Sequence, residues 1–315
     1  MIMHKGDQTL AIRALKSAAP YIRMYKGKTF VVKAGGGVFA DTESTRVLIE
    51  QIAILHYFGV RVVMVHGGGP QTTEVSEALG VPTRMVEGRR VTDQKSIDVT
   101  SMVLNGLINT RVLGICRELN IDAVGISGVD AGLVLAHKRP PVRIGGAAGE
   151  VVDFGFVGDI DLVDTTVIRK LLDNGLMPVV SPLSADDKGV LLNINADTVA
   201  AAIGATLGAE KLILCTGAPG ILGDVNDPGS LISYTDVPGL KRMREEGRIV
   251  DGMLPKAKAI EDAIRGGVRR VHVVSYKAPE GILGEVFTNE GTGTLIVADV
   301  NALSPAEQLT SGAGG

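Results

Sequence analysis

Two short apolar runs, each closed by a glycine triplet, constrain this 315-residue chain more than any other feature. Thr29-Phe-Val-Val-Lys33 runs into Gly35-Gly36-Gly37, and Arg61-Val-Val-Met-Val-His66 runs into Gly67-Gly68-Gly69-Pro70. Between them, residues 42–58 read as a helix. Strand, glycine turn, helix, strand, glycine turn is the pattern of a βαβ unit with parallel strands. Open α/β sheets bind ligands outside the carboxyl ends of such strands. Two glycine loops at adjacent strand ends therefore mark the first candidate site.

The alternation continues. Residues 92–119, 164–174, 196–207 and 256–265 read as helices, with Asn195 placed to cap the third. Residues 122–127, 177–183, 211–216, 271–275 and 294–298 read as strands, and 133–163 as a β-hairpin excursion. The core must be built from Val, Ile, Leu and Ala, because aromatic residues make up only 3% and there is no Trp. Such a core suits parallel strands covered by helices on both faces. The loop at 184–189 is the candidate seam between two lobes, 28–190 and 191–300. Ahead of them, residues 8–25 form an amphipathic pattern within a leading segment, 1–27, and Pro20 predicts a kink there. The Gly-rich tail, 301–315, is expected to be disordered.

Several function classes are disfavoured. A formal charge of −3 argues against a nucleic-acid surface. No stretch approaches ~18 uninterrupted apolar residues, so no membrane span is expected. Cys116 and Cys215 lie in apolar surroundings without metal-ligand spacing, which reads as two buried thiols in a reducing cytoplasm. Gly27-Lys28-Thr29 resembles the end of a P-loop but precedes a strand, and no GxGxxG follows a strand.

The polar residues at strand ends carry the chemistry. Lys33 places an ammonium at the mouth of the first strand, beside glycine backbone that can approach a phosphate closely. A glycine turn with a snorkelling Lys is the plain alternative, and the second loop, with Gly68 and Gly69, makes it less comfortable. His66 reads as a structural hydrogen-bonding group rather than a catalyst. Arg89 and Arg90 stand just before a helix start, where an Arg fork suits a carboxylate. A solvated basic turn would look the same. Asn193-Ile-Asn195-Ala-Asp197 sits at a strand-to-helix junction, and Asp197 in the first turn can accept from ammonium groups. A helix cap accounts for Asn195 but leaves Asn193 unassigned. Lys256 stands where a helix begins, a place already positive, which suggests an anion between them.

Taken in order, these elements resemble the acetylglutamate kinase family of the amino-acid kinase superfamily. The matching pieces are Val32-Lys-Ala-Gly-Gly36, Val65-His-Gly-Gly-Gly-Pro70, Gly88-Arg-Arg-Val-Thr-Asp93, Gly125-Ile-Ser-Gly128, Asn193-Ile-Asn-Ala-Asp197, Pro219-Gly-Ile-Leu222, Asp251-Gly-Met-Leu-Pro-Lys256 and Gly291-Thr-Gly-Thr294. They span essentially the whole chain to residue 298. The resemblance implies a three-layer α/β/α sandwich around a mainly parallel sheet. Its N-terminal lobe would bind the acyl-amino acid and its C-terminal lobe the nucleotide.

The implied reaction is ATP-dependent phosphorylation of the γ-carboxylate of N-acetyl-L-glutamate in arginine biosynthesis, with Mg²⁺ carried in on ATP and no protein metal site. Lys33 and Lys256 would stabilise the phosphoryl group in transfer, with Asp197 orienting them. Gly68, Gly69, Arg90 and Asn193 would hold the substrate. Gly35, Gly36, Gly217, Pro219, Gly220, Ile221 and Leu222 would line the nucleotide site. The chain departs from the family at Gly217, where Asp is usual, at Ala34, where a larger residue is common, and at Glu280, where His is common. A sister kinase acting on an aminoadipate or another acidic group is the nearest alternative. A non-catalytic amino-acid sensor on the same fold is the other, and the presence of Lys33, Lys256 and Asp197 counts against it. The Pro20-Tyr-Ile22 segment resembles the kinked helix that accompanies homohexamers, trimers of dimers, inhibited by arginine. It implies an arginine site near Tyr21 and Glu285.

Overall fold

The computed structural model describes residues 5–144, 149–227, 229–250, 252–288 and 291–302. Helix α1 (Lys5–Tyr25) leads into β1 (Thr29–Ala34), a 3-10 turn (Gly36–Ala40), α2 (Thr42–Tyr57), β2 (Arg61–His66) and α3 (Gly69–Ala78). The hairpin β3 (Arg84–Val86) and β4 (Arg89–Val91) precedes α4 (Gln94–Ser101), a π-helical stretch (Met102–Asn109), α5 (Thr110–Glu118) and β5 (Ala123–Ser127). The excursion contributes β6 (Val134–Lys138), β7 (Val142–Arg143), β8 (Val151–Val152) and β9 (Gly158–Val163). Next come α6 (Thr166–Asp173), β10 (Met177–Ser181), β11 (Leu183–Ala185), β12 (Leu191–Asn193), α7 (Ala196–Leu207) and β13 (Lys211–Thr216). The chain closes with β14 (Tyr234–Asp236), α8 (Val237–Glu245), α9 (Met253–Arg265), β15 (Arg270–Ser275), α10 (Gly281–Phe287) and β16 (Thr294–Val297).

Among the described residues the main sheet has eight strands in the order β14-β16-β15-β13-β1-β2-β10-β5. Its neighbours pair in parallel except β15 with β16. Alternate residues of the central strands face opposite sides, as the two-residue period of a strand requires. Val31, Val63 and Leu212 join one buried cluster with residues of α7 and α9. Phe30, Val32, Val62 and Ile213 join another with residues of α2, the π stretch and α5. Helices thus cover both faces, giving the expected three layers. Each of these fully buried apolar side chains contributes about 1.5–3 kcal/mol.

Three helices start at side-chain caps, of which the sequence reading placed Asn195. Asp41 accepts from Ser44 N at 2.7 Å, Asp93 from Ser96 N at 2.8 Å, and Asn195 from Asp197 N at 2.7 Å. The residues read as one helix over 92–119 begin it at Gln94 and widen into a π turn at its middle. That wide turn carries two polar anchors. Asn109 Nδ2 donates to Val179 O at 3.0 Å and meets His66 Nε2 at 3.1 Å, while Ser181 Oγ donates to the Asn105 side chain. The helical run Gln94–Glu118 is also long and apolar enough to cross a membrane by length and composition. It buries Ile97, Val103, Leu104, Ile108, Val112 and Cys116 in the second cluster.

α1 begins earlier than the apolar pattern suggests and stays one helical span through Pro20. Residues 184–189 belong to the β11–β12 hairpin, whose turn is held by Asp186 accepting from Lys188 N and Val190 N. A second sheet, β12-β11-β6-β9, starts from the carboxyl ends of β5 and β10 and places Asn193 beside the glycine loops. Of the expected tail, Asn301 and Ala302 are in a 3-10 turn with Val300, and 303–315 lie outside the described residues.

Candidate active site

A cavity of about 260 Å³ opens at the carboxyl ends of β1 and β2. Lys33, Gly35 and Gly36 line it from the first glycine loop, and Gly68 and Gly69 from the second. Arg90 at β4, Asn193 at the end of β12 and Asp197 in the first turn of α7 complete its polar lining. These residues are spread over 165 positions of sequence, and the sheet order makes them neighbours.

At two of these glycines a side chain would crowd its neighbours, whereas a β-carbon at Gly69 would meet nothing within 4 Å. A β-carbon at Gly68 would stand 2.4 Å from Ile108 Cδ1 and 2.8 Å from Leu104 Cδ2. One at Gly36 would meet Pro70 Cδ at 2.6 Å and Gly69 N at 3.1 Å. The two loops therefore pack backbone to backbone. Gly67 N donates to Ala34 O at 2.8 Å, and Gln71 Nε2 donates to Gly36 O at 2.8 Å. The second loop becomes the N-terminus of α3, whose free amides and dipole favour negative charge.

Asp197, 6% exposed, is the hub of the site. Lys33 Nζ lies 2.8 Å from its Oδ1, and Lys256 Nζ donates to both carboxylate oxygens at 3.1 Å. Burial pushes the Asp197 carboxyl up, yet the two ammonium charges and their hydrogen bonds outweigh that and hold it below the usual range. Burial, and then the Lys33 charge, push the Lys256 ammonium down from its ordinary value. One buried carboxylate facing two ammoniums leaves an excess positive charge at a largely buried site. Such a site attracts an anion.

Arg90 is pinned rather than free. Nη1 donates to Thr83 Oγ1 at 3.0 Å, and Nη2 donates to Thr73 Oγ1 at 2.6 Å and Gly69 O at 3.2 Å. Burial lowers the pKa of its guanidinium from the ordinary value. His66 is fully buried between Asn109 and Gly67 O, and burial lowers it to about 4, so it is a neutral structural group. Cys116 and Cys215 are free and buried, each pushed up to about 12 by burial, and neither is nucleophilic at neutral pH.

Gly217, Pro219, Gly220, Ile221 and Leu222 do not line the cavity. They follow β13, next to β1, in a loop closed by Ile221 N donating to Thr294 Oγ1 at 2.8 Å. Tyr21 and Glu285 lie elsewhere. Glu285 in α10 is buried and accepts from His272 Nδ1 at 2.6 Å, Thr292 N at 2.6 Å and Gly293 N at 2.9 Å. His272 also meets Lys211 Nζ at 2.9 Å, toward the amino ends of β13 and β15 and away from the glycine loops. Sequence reasoning missed Thr73, Thr83 and Gln71, which shape the site through Arg90 and Gly36. Only the Gly-Pro-Gln run pointed toward the last of them.

Comparison with known proteins identifies the family. Residues 28–275 match the amino acid kinase family. The chain is 47% identical over 296 residues to the acetylglutamate kinase of Myxococcus xanthus, covering 93% of this chain and 96% of that protein. It is 40% identical to the acetylglutamate kinase of Symbiobacterium thermophilum, covering 90% and 96%. Among solved structures it superposes on N-acetylglutamate synthase from Neisseria gonorrhoeae, complexed with coenzyme A and N-acetyl-glutamate. That match has a TM-score of 0.78 and 26% identity, and covers 92% of this chain but only 64% of the synthase.

Proposed function

This chain belongs to the amino acid kinase family and, within it, to the acetylglutamate kinases, and from that premise we propose that it transfers the γ-phosphoryl group of ATP to the γ-carboxylate of N-acetyl-L-glutamate. The observation that carries the reading is the Lys33–Asp197–Lys256 cluster beside two glycine loops. Phosphoryl transfer asks for in-line positioning and for positive charge on the equatorial oxygens. Lys33 and Lys256 supply the charge, and Asp197 fixes their positions. The attacking carboxylate is ionised at neutral pH, so no general base is required.

Arg90, with Gly68, Gly69 and Asn193, would receive the acyl-amino acid. Gly35, Gly36 and the loop Gly217–Leu222 would receive the nucleotide. Mg²⁺ would come with the phosphates. Among the described residues no group of three or more His, Cys, Asp or Glu side chains is placed to cage an ion, and Asp197 is committed to two lysines. The sheet order supports the two-lobe division near residue 190, since β5, β10, β2 and β1 occupy one half and β13, β15, β16 and β14 the other.

We also infer a homohexamer, a trimer of dimers, in which α1 pairs with a neighbour and arginine inhibits from a site near Tyr21 and Glu285. The support is that Ile12, Leu15 and Met24 stand more than half exposed on α1. A cytoplasmic location is supported by the two unpaired thiols.

The reading is tested by incubating the protein with ATP, Mg²⁺ and a panel of acidic substrates, with hydroxylamine trapping the acyl phosphate. Hydroxamate should form with N-acetyl-L-glutamate. Formation only with an aminoadipate derivative would reassign the enzyme to a sister reaction.

A further inference from the structure

β15, β13 and β1 are parallel neighbours, so their carboxyl ends present three segments side by side. These are Tyr276 after β15, Gly217 after β13 and Gly35–Gly37 after β1. Tyr276 N donates to Thr216 O at 2.9 Å, which fixes its backbone beside Gly217. From there the ring reaches across to the first glycine loop. A β-carbon at Gly37 would stand 2.8 Å from the Tyr276 hydroxyl, and one at Gly217 would stand 3.5 Å from the hydroxyl and 3.7 Å from the ring. The phenol therefore lies where side chains at 37 and 217 would otherwise project.

Its ring is half-buried against the second core cluster, so its position is set by packing. Its hydroxyl has no hydrogen-bond partner among the described residues. A phenol hydroxyl held in place without a partner, between two glycine segments, is a donor ready for a ligand.

We propose that the Tyr276 hydroxyl contacts the nucleoside triphosphate, donating to an oxygen of its phosphate chain where that chain passes between Gly35–Gly37 and Gly217. The proposal rests on the reading of those two segments as the nucleotide site, and assigns to this chain a positioning contact made by a third strand end.

Tyr276→Phe removes one oxygen and keeps the ring, so the Tm should stay within about 2 °C of wild type. Calorimetric binding of Mg²⁺ with AMP-PNP, a non-hydrolysable ATP analogue, should weaken about tenfold or more, as for a lost hydrogen bond to a charged group. KM for ATP should rise by a similar factor, while kcat and KM for N-acetyl-L-glutamate change less than about twofold. Equal AMP-PNP affinity in the two proteins overturns the proposal, and so does a wild-type protein that binds no AMP-PNP. Calorimetry needs no turnover. Wild-type binding that weakens in Tyr276→Phe, without phosphorylation of N-acetyl-L-glutamate, would support the contact and sink the substrate assignment instead.

Discussion

Lys33 and Lys256 converge on a single oxygen, Oδ1 of Asp197, at 2.8 and 3.1 Å, although one ends a strand near the start of the chain and the other lies in a helix near its end. Two like charges held this close repel each other unless the carboxylate, or an incoming anion, lies between them. The Asp197 carboxylate offsets one of the two charges, and an arriving phosphoryl group would offset the other.

Removing one of the two cations should act on the transition state. Lys256→Ala is expected to lower kcat by on the order of 10²–10³ with a smaller effect on KM for N-acetyl-L-glutamate. Steady-state kinetics would check this. Near-normal kcat with a raised KM would show that Lys256 only binds.

Asp197→Asn should cost stability as well as rate. It leaves two buried ammoniums facing each other without a counter-charge, a loss of about 3–5 kcal/mol. Urea unfolding would show a lower midpoint, and added MgATP should recover part of it, because the phosphates supply the missing negative charge.

Arg90→Lys is expected to raise KM for the acyl-amino acid about tenfold or more and leave KM for ATP near normal. Three contacts, to Thr73, Thr83 and Gly69, hold the guanidinium at the cavity wall, and a single ammonium cannot reproduce them. A change confined to the ATP term would place Arg90 in the wrong pocket.

Acid should destabilise the fold below pH 6.5. Burial lowers His66 and His272 from 6.5 to about 4, so the unfolded chain takes up protons that the folded chain refuses. Their contribution is fully present above pH 6.5 and is lost as pH falls from there toward 4. For His66 the loss is about 2 kcal/mol by pH 5. Urea titrations at pH 7 and pH 5 measure it, and the difference should shrink in His66→Gln.

Light scattering tests the assembly. The 315-residue chain should scatter with the mass of a hexamer and a chain starting at Lys26 with that of a dimer. A dimer of the 315-residue chain would end the hexamer proposal. A hexamer whose activity ignores millimolar arginine would end the regulatory one and leave the assembly intact.

Local chemistry made much of this protein legible in its sequence. β-branched runs closed by glycines announce strand ends, Asn195 before Ala196-Asp197 announces a helix cap, and the order of short motifs announces the family. These depend on residues within a few positions of one another, where steric and hydrogen-bonding rules act directly. Tertiary structure alone decided the rest. Asp197 serves two lysines because β1, α7 and α9 meet at one point. A β-carbon at Gly68 would have to push aside Leu104 and Ile108, which the π turn brings against it. Tyr276 reaches the first glycine loop because β15 and β1 flank β13. Charge coupling, steric exclusion and strand order depend on distances in space, and sequence separation carries no record of them.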